Sequence, residues 1–249
     1  MLVLAWDTAT PVLSLALARI AGDDRGEPET LECRSGTGLS THSSLLPRLA
    51  EEALAAGRLG VKDLSLIACG RGPGSFTGLR VGLAFAKGLA FGGPPLVGVS
   101  TLDALASNPD LGEGLFAAVL DARRREVFFS LYRRLEGGPA IPLSGILVLS
   151  PGDFYRSVKE LLTKDGNISP GEVVTVVGPG AELVAPPEDG FRIGPSEGPR
   201  ASLVAALGAR LFRSADPAEN PPLPLYGRSP EIFKTWTPPA RLVCARPPS

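Results

Sequence analysis

The 249 residues read as an alternating α/β protein built from two halves. Short apolar runs of strand length, at 2–5, 64–69 and 96–99, are separated by amphipathic stretches of helical period. A Gly/Pro-punctuated loop at 70–74 runs straight into a helix with almost no polar face. Each half also opens in the same way, strand, acidic turn, strand, around Asp7 and Asp121. No repeat of fixed period is visible, and the boundary falls in 108–114, giving expected lobes of 1–108 and 109–249.

Residues 2–5 form the first strand, and Asp7-Thr8-Ala9-Thr10-Pro11 supply the side-chain acceptors of a turn. Residues 12–18 return as a second strand, so the pair is expected to be a hairpin. A polar loop at 22–28 leads to a third strand within 29–34. From 41 to 56 an amphipathic helix carries Leu45, Leu46, Leu49, Ala53 and Ala56 on one stripe, with Gly57 and Gly60 as its stop. Pro47 deletes a backbone hydrogen bond past the first turn, which predicts a kink or a helix that begins only near Ser44.

Residues 64–69 read as a short buried strand, the glycines at 70, 72 and 74 permit a tight turn, and Ser75 suits a helix N-cap. Such a loop either cradles an anion on backbone N–H groups or simply starts a buried helix. In the helix that follows, Phe76, Leu79, Leu83, Ala86 and Ala90 share one side, and Gly78, Gly82, Phe85 and Leu89 the other. Only Arg80 and Lys87 are left for water, so the helix needs cover on two sides. Gly78 and Gly82 form a flat notch expected to admit a second helix, internal or from another chain. Beyond the break at 92–95, residues 96–99 read as a strand and 101–107 as a short helix.

The second half opens with strands at 115–120 and 126–132, joined by a hairpin connection at 121–125. Further strands are expected at 145–149 and 173–177, with an amphipathic helix at 154–163 between them. Residues 201–213 form a helix with Leu203, Leu207 and Leu211 in line. From 216 onward proline dominates, and the chain reads as an extended tail.

Hydrophobic content of 44% with 20% charged residues describes a folded globular chain. A formal net charge of −1 gives no bulk attraction to nucleic acid or to an anionic membrane, so RNA would need a local patch or a partner. The opening 1–7 lacks a signal-peptide n-region and no apolar run is long enough to span a bilayer, which together predict a cytoplasmic protein without a membrane partner. Cys33, Cys69 and Cys244 have no paired spacing and read as reduced thiols.

Catalytic chemistry is sparse. His42 is the single histidine, so a two-histidine metal site cannot be built within the chain, and it reads as a surface or capping residue. Ser75 lacks the Gly-x-Ser-x-Gly elbow of a hydrolase, and neither a Walker loop nor a dinucleotide fingerprint is present. Asp7 and Thr8 at the end of the first strand would suit a magnesium-bound nucleotide phosphate, or equally an Asx turn closing the hairpin. Arg123, Arg124 and Arg125, with Arg133 and Arg134, would contact RNA phosphates or form a solvated turn; a steep loss of binding with salt would separate the two.

The segments Leu4-Ala5-Trp6-Asp7-Thr8-Ala9-Thr10, His42-Ser43-Ser44-Leu45-Leu46-Pro47 and Gly72-Pro73-Gly74-Ser75-Phe76-Thr77-Gly78-Leu79-Arg80-Val81-Gly82 together resemble the bacterial TsaB (YeaZ) family. So do Gly98-Val99-Ser100-Thr101-Leu102, Asp121-Ala122-Arg123-Arg124-Arg125-Glu126-Val127 and Pro224-Leu225-Tyr226-Gly227-Arg228, in order and across nearly the whole chain. Trp6 and Gly227 depart from usually aliphatic positions. The resemblance implies a two-lobed actin-like/Hsp70-type ATPase (ASKHA) fold with mixed sheets flanked by helices. It implies a scaffold subunit for threonylcarbamoyladenosine formation in tRNA, acting with the catalytic paralogue TsaD and the ATPase TsaE, a homodimer when alone, and touching tRNA indirectly. The resemblance further implies that this chain alone requires no cofactor, and that the assembly would admit ATP or ADP with magnesium.

TsaD carries two metal-binding histidines where this chain has Thr101 and Leu105, so no catalytic residue is expected here. The expected partner interface comprises Leu45, Leu49, Gly74, Ser75, Phe76, Gly78, Leu79, Gly82 and Phe85, as a four-helix contact. Two enzymatic alternatives are a small-molecule kinase or ATPase of the same fold using Asp7 and Thr8, and a metalloprotease of the M22 glycopeptidase type.

Overall fold

The computed structural model describes residues 1–21, 28–38, 42–135, 138–164, 171–185, 187–214 and 222–226. Strands β1 (Leu2–Asp7), β2 (Val12–Arg19) and β3 (Glu29–Thr37) form an antiparallel meander. Strands β4 (Leu66–Gly70) and β5 (Leu96–Val99) add to it in parallel with β1, giving the order β3-β2-β1-β4-β5. The period of two sends neighbouring residues to opposite faces. Leu4, Trp6, Leu13, Leu15 and Leu17 pack under helices α1 (His42–Ala56) and α2 (Phe76–Ala90), while Val3, Ala5, Leu66, Ala68 and Val97 face the other way.

The second half repeats this plan. Strands β6 (Gly114–Arg123), β7 (Glu126–Arg134) and β8 (Ala140–Pro142) are antiparallel, and β10 (Val174–Val177) and β11 (Phe191–Ile193) follow in parallel with β6. The order β11-β10-β6-β7-β8 is the first sheet's order read from its other edge, with β9 (Leu147–Leu149) pairing β7. The shared opening around Asp7 and Asp121 is thus the trace of a duplicated topology. One face of this sheet packs on helix α4 (Phe154–Lys164), where Phe154 meets Phe129 edge-on at 5.3 Å.

The two halves exchange their last helices. Helix α3 (Thr101–Ala106) follows β5 yet buries Leu102, Leu105 and Ala106 against Phe116, Ala118 and Tyr132 of the second sheet. Helix α5 (Ala201–Ser214) follows β11 yet buries Val204, Ala205 and Ala209 against the first sheet. Gly208 allows that approach, since a Cβ there would stand 2.4 Å from the Ala68 Cβ. The apolar inner faces of both sheets are closed by these crossing helices, which is why neither half is a self-contained core.

Several elements differ from the sequence expectation. Helix α1 begins at His42 and runs through Pro47 to Ala56, so it does not wait until Ser44. Its stop is a Schellman-type turn in which Arg58, at φ 53°, takes the left-handed position while Leu59 N–H bonds the Leu54 carbonyl. Strand β6 continues through Asp121 to Arg123, and β8 and β11 are three-residue strands too short to read from periodicity. The polar loop at 22–27 and the tail residues 215–221 and 227–249 lie outside the described residues.

Candidate functional site

A cleft of about 610 Å³ opens between the two lobes. One wall is the β1–β2 turn, Ala9 to Pro11, with Gly74, Ser75, Phe76 and Thr77 at the start of α2. The opposite wall is the tip of the β6–β7 hairpin, from Leu120 to Arg124, with Phe128 and Pro179; Tyr226 closes one side.

The first wall is built by glycine. Thr8 and Ala9 dock on the start of α2: the Thr8 hydroxyl donates to the Gly78 carbonyl at 2.8 Å, and Ser75 N–H donates to the Ala9 carbonyl at 2.7 Å. A Cβ at Gly78 would lie 2.0 Å from the Thr8 carbonyl oxygen, and one at Gly82 would lie 2.3 Å from Thr8 Oγ1. The glycine notch therefore faces this chain's own hairpin, correcting the expectation that it admits a second helix, internal or from another chain. Trp6 reinforces the joint, donating its indole N–H to the Gly82 carbonyl at 3.2 Å and meeting the Phe85 ring at a tilt, with centroids 5.3 Å apart. Ser75 is the N-cap, accepting from Gly78 N–H.

Asp7 and Thr8 do not reach the cleft. Both are fully buried. The Asp7 carboxylate accepts from Ala9 N–H and from the Thr101 hydroxyl, each at 2.7 Å, and a Cβ at Gly70 would stand 2.0 Å from Asp7 Oδ2. Burial pushes its carboxyl up to about 6, only partly offset by those two hydrogen bonds. The neighbouring Cys69 thiol is pushed up to about 12, by burial first and then by Asp7, which leaves it inert. The Asx-turn reading of Asp7 is the one the geometry follows. A magnesium-bound nucleotide, which the fold would imply, does not fit a turn whose carboxylate and hydroxyl both point into the core.

The remaining expected interface residues divide by depth. Leu49 and Leu79 are core residues, Leu45 is half-buried against Gly36, and Gly74 packs on Ala9, so Leu49, Leu79, Gly78 and Gly82 present no surface to a partner. Phe76 is 51% exposed, and Phe85 is half-buried. His42 is fully buried with Nε2 3.4 Å from the Pro11 carbonyl, not on the surface, and burial holds its imidazole below the usual range.

The hairpin tip carries the least expected feature. Arg123, Arg124 and Arg125 have φ of 62°, 54° and 61°, three consecutive left-handed residues without a glycine. Arg123 pairs with Glu126 after a bulge, leaving Arg124 and Arg125 as the central pair of a two-residue hairpin turn with the positive φ values of type I′. Each such residue costs about 1–2 kcal/mol relative to glycine. Asp121 supports the bend, accepting from Arg123 N–H at 2.6 Å and pairing with the Arg123 guanidinium at 3.0 Å. Arg124 and Arg125 are exposed and make no ion pair among the described residues. By contrast Arg133 pairs with Glu172, and Arg134 donates to the carbonyls of Ala106 and Asn108 behind α3.

Tyr226 escapes a reading of the tail as merely extended. Leu225 N–H donates to the Arg71 carbonyl at 2.7 Å, and the Tyr226 ring lies 5.2 Å from Phe76, whose face carries Arg80 at 3.9 Å. The signal was present in the segment Pro224-Leu225-Tyr226, but nothing in its spacing named the helix it would reach.

Duplicated sheets, exchanged helices and a cleft between the two hairpins define a two-lobed actin-like ATPase fold in which the β1–β2 turn presents no carboxylate. A family profile described as TsaD, tRNA N6-adenosine threonylcarbamoyltransferase, matches residues 39–141. The tRNA threonylcarbamoyladenosine biosynthesis protein TsaB of Escherichia coli is 31% identical over 227 residues, covering 87% of this chain and 83% of that protein. The Haemophilus influenzae protein of the same description is 39% identical over 132 residues, 51% of this chain and 52% of its own. The solved YeaZ structure from Pseudomonas aeruginosa superposes with a TM-score of 0.68 at 25% identity, covering 90% of this chain and 98% of that one. The chain belongs to the TsaB (YeaZ) family of tRNA threonylcarbamoyladenosine biosynthesis proteins.

Proposed function

We propose that this chain is the non-catalytic scaffold subunit of the threonylcarbamoyladenosine machinery, pairing with a TsaD-like catalytic subunit and serving with a TsaE-like ATPase in the cytoplasm. The observation that carries the reading is the bond from Thr101 to Asp7. Thr101 and Leu105 occupy the places where the resemblance puts the metal-binding histidines of TsaD. Here Thr101 is spent on a buried carboxylate, and Leu105 packs where a Cβ on Gly178 would lie 2.9 Å away. Among the described residues no group of three or more His, Cys, Asp and Glu side chains could hold a metal ion. The small-molecule kinase alternative loses its two residues to the same burial.

The surface left for a partner is the outer side of α1 and α2. Half-buried Leu45 and Phe85 lie there beside exposed Ala55 and Ala84. The same side would serve a homodimer and the heterodimer in turn, making them mutually exclusive. Mixing the chain with a TsaD-like subunit and sizing the product tests the reading: a stable heterodimer should form at the expense of the homodimer. Threonylcarbamoyl transfer to tRNA by the isolated chain would contradict it.

A further inference from the structure

We infer that the cleft between the lobes takes an unpaired nucleotide of single-stranded RNA, its base on the Tyr226–Phe76 aromatic pair and its flanking phosphates on Arg123, Arg124 and Arg125. The cleft sets two different chemistries face to face. One wall ends in aromatic rings that keep 51% (Phe76) and 40% (Tyr226) of their surface open, with the Arg80 guanidinium already stacked on Phe76. The other wall carries Arg123 and Arg124, with Arg125 next to them at the exposed tip of the left-handed turn, and Arg124 and Arg125 have no ion-pair partner among the described residues. Exposed rings with guanidinium groups nearby form a stacking platform for a planar base, and arginines at its edge meet the phosphodiesters on either side.

The competing ligands fit less well. A free nucleoside triphosphate carries several negative charges and a magnesium ion, yet the turn's Asp7 and Thr8 point into the core. A phosphodiester carries one charge per residue, which single guanidinium groups match. An acidic peptide would satisfy the arginines but leave the rings without a planar partner. The chain's formal charge of −1 makes the patch local, so attraction is confined to this cleft. RNA as the ligand class rests on the tRNA-modification reading above; binding is measured on the isolated chain, so it succeeds or fails separately from assembly with partners.

The test is fluorescence anisotropy of a labelled eight-nucleotide oligouridylate titrated with the full chain, repeated over a range of salt. Arg124→Asn combined with Arg125→Gly removes both charges while supplying the residues that a type I′ turn prefers. The variant should melt no lower than the parent, bind RNA about tenfold more weakly, and lose about 1.4 from the salt slope, near 0.7 for each phosphate contact. Tyr226→Ala should also weaken binding about tenfold, with the slope unchanged. A duplex of equal length should bind less tightly than the single strand. Four results would overturn the inference: no binding by the parent chain at low salt, affinity unchanged from the parent in both variants, binding of free nucleotide without oligonucleotide, or polyglutamate binding as tight as RNA.

Discussion

At the scale of single residues, the carboxyl group of Asp7 takes up a proton on folding in the window between about pH 4 and 6. Burial raises its pKa from 3.8 to about 6, so the native state holds the proton more tightly than the unfolded chain does. The stability linked to this group is fully present below the unfolded value and is lost as pH rises through 6. Asp7→Asn removes the ionisation and keeps an oxygen for Ala9 N–H, while the Thr101 hydroxyl can turn to accept from the new amide. Urea titrations should therefore show the variant gaining up to about 3 kcal/mol on the parent at pH 8, with the gain vanishing near pH 4. A constant difference across that range would deny the buried proton. Gly82 gives a second residue-level expectation. Gly82→Ala drives a methyl group toward Thr8 Oγ1 and should cost about 1–3 kcal/mol, and Thr8→Ala in the same chain should recover part of the loss. Equal stability of Gly82→Ala and the parent would mean that the notch is open after all.

At the scale of elements, the outward side of α2 is where a partner's effect should be seen. Ala84 is exposed midway along the helix, so Ala84→Arg should leave the melting temperature unchanged while weakening the proposed heterodimer at least about tenfold. Unchanged affinity would place the interface elsewhere. Most elements were legible because their apolar periods are strong: Leu4 and Trp6 alternate with Val3 and Ala5, and Leu46, Leu49 and Ala53 mark one face of α1. What stayed hidden depends on partners that a period cannot name. The apolar stripe of α5 says that it covers a sheet, not that it returns to the first one. Gly78 and Gly82 announce a close approach without revealing that Thr8 makes it. The left-handed turn at Arg124 and Arg125 has no sequence signature, because arginine does not favour positive φ and only tertiary context imposes it. Asp7 was legible as a turn acid, but its sealing by Thr101 joins residues 94 apart in the chain.

At the scale of the whole molecule, the exchange of α3 and α5 binds the lobes into one cooperative core. Partly buried polar ties add to it: the Tyr132 hydroxyl donates to Asp103 at 2.7 Å, and Arg134 holds the carbonyls behind α3. The exposed Arg200–Asp110 pair contributes little beside them. Tyr132→Phe should leave half-buried Asp103 without that donor and cost about 1 kcal/mol in a single unfolding transition, whereas two separate transitions would show lobes that unfold independently. Such a body suits a rigid subunit whose contribution lies in its surfaces. The most direct measurement is threonylcarbamoyl transfer to tRNA in a mixture of TsaD-like and TsaE-like subunits with threonylcarbamoyl-adenylate, supplemented with the parent chain or with Asp7→Asn. A scaffold predicts that both chains restore modification to the same rate. Loss of modification with Asp7→Asn, in a variant that still binds its partner, would show that the carboxylate takes part in the chemistry and would contradict the account.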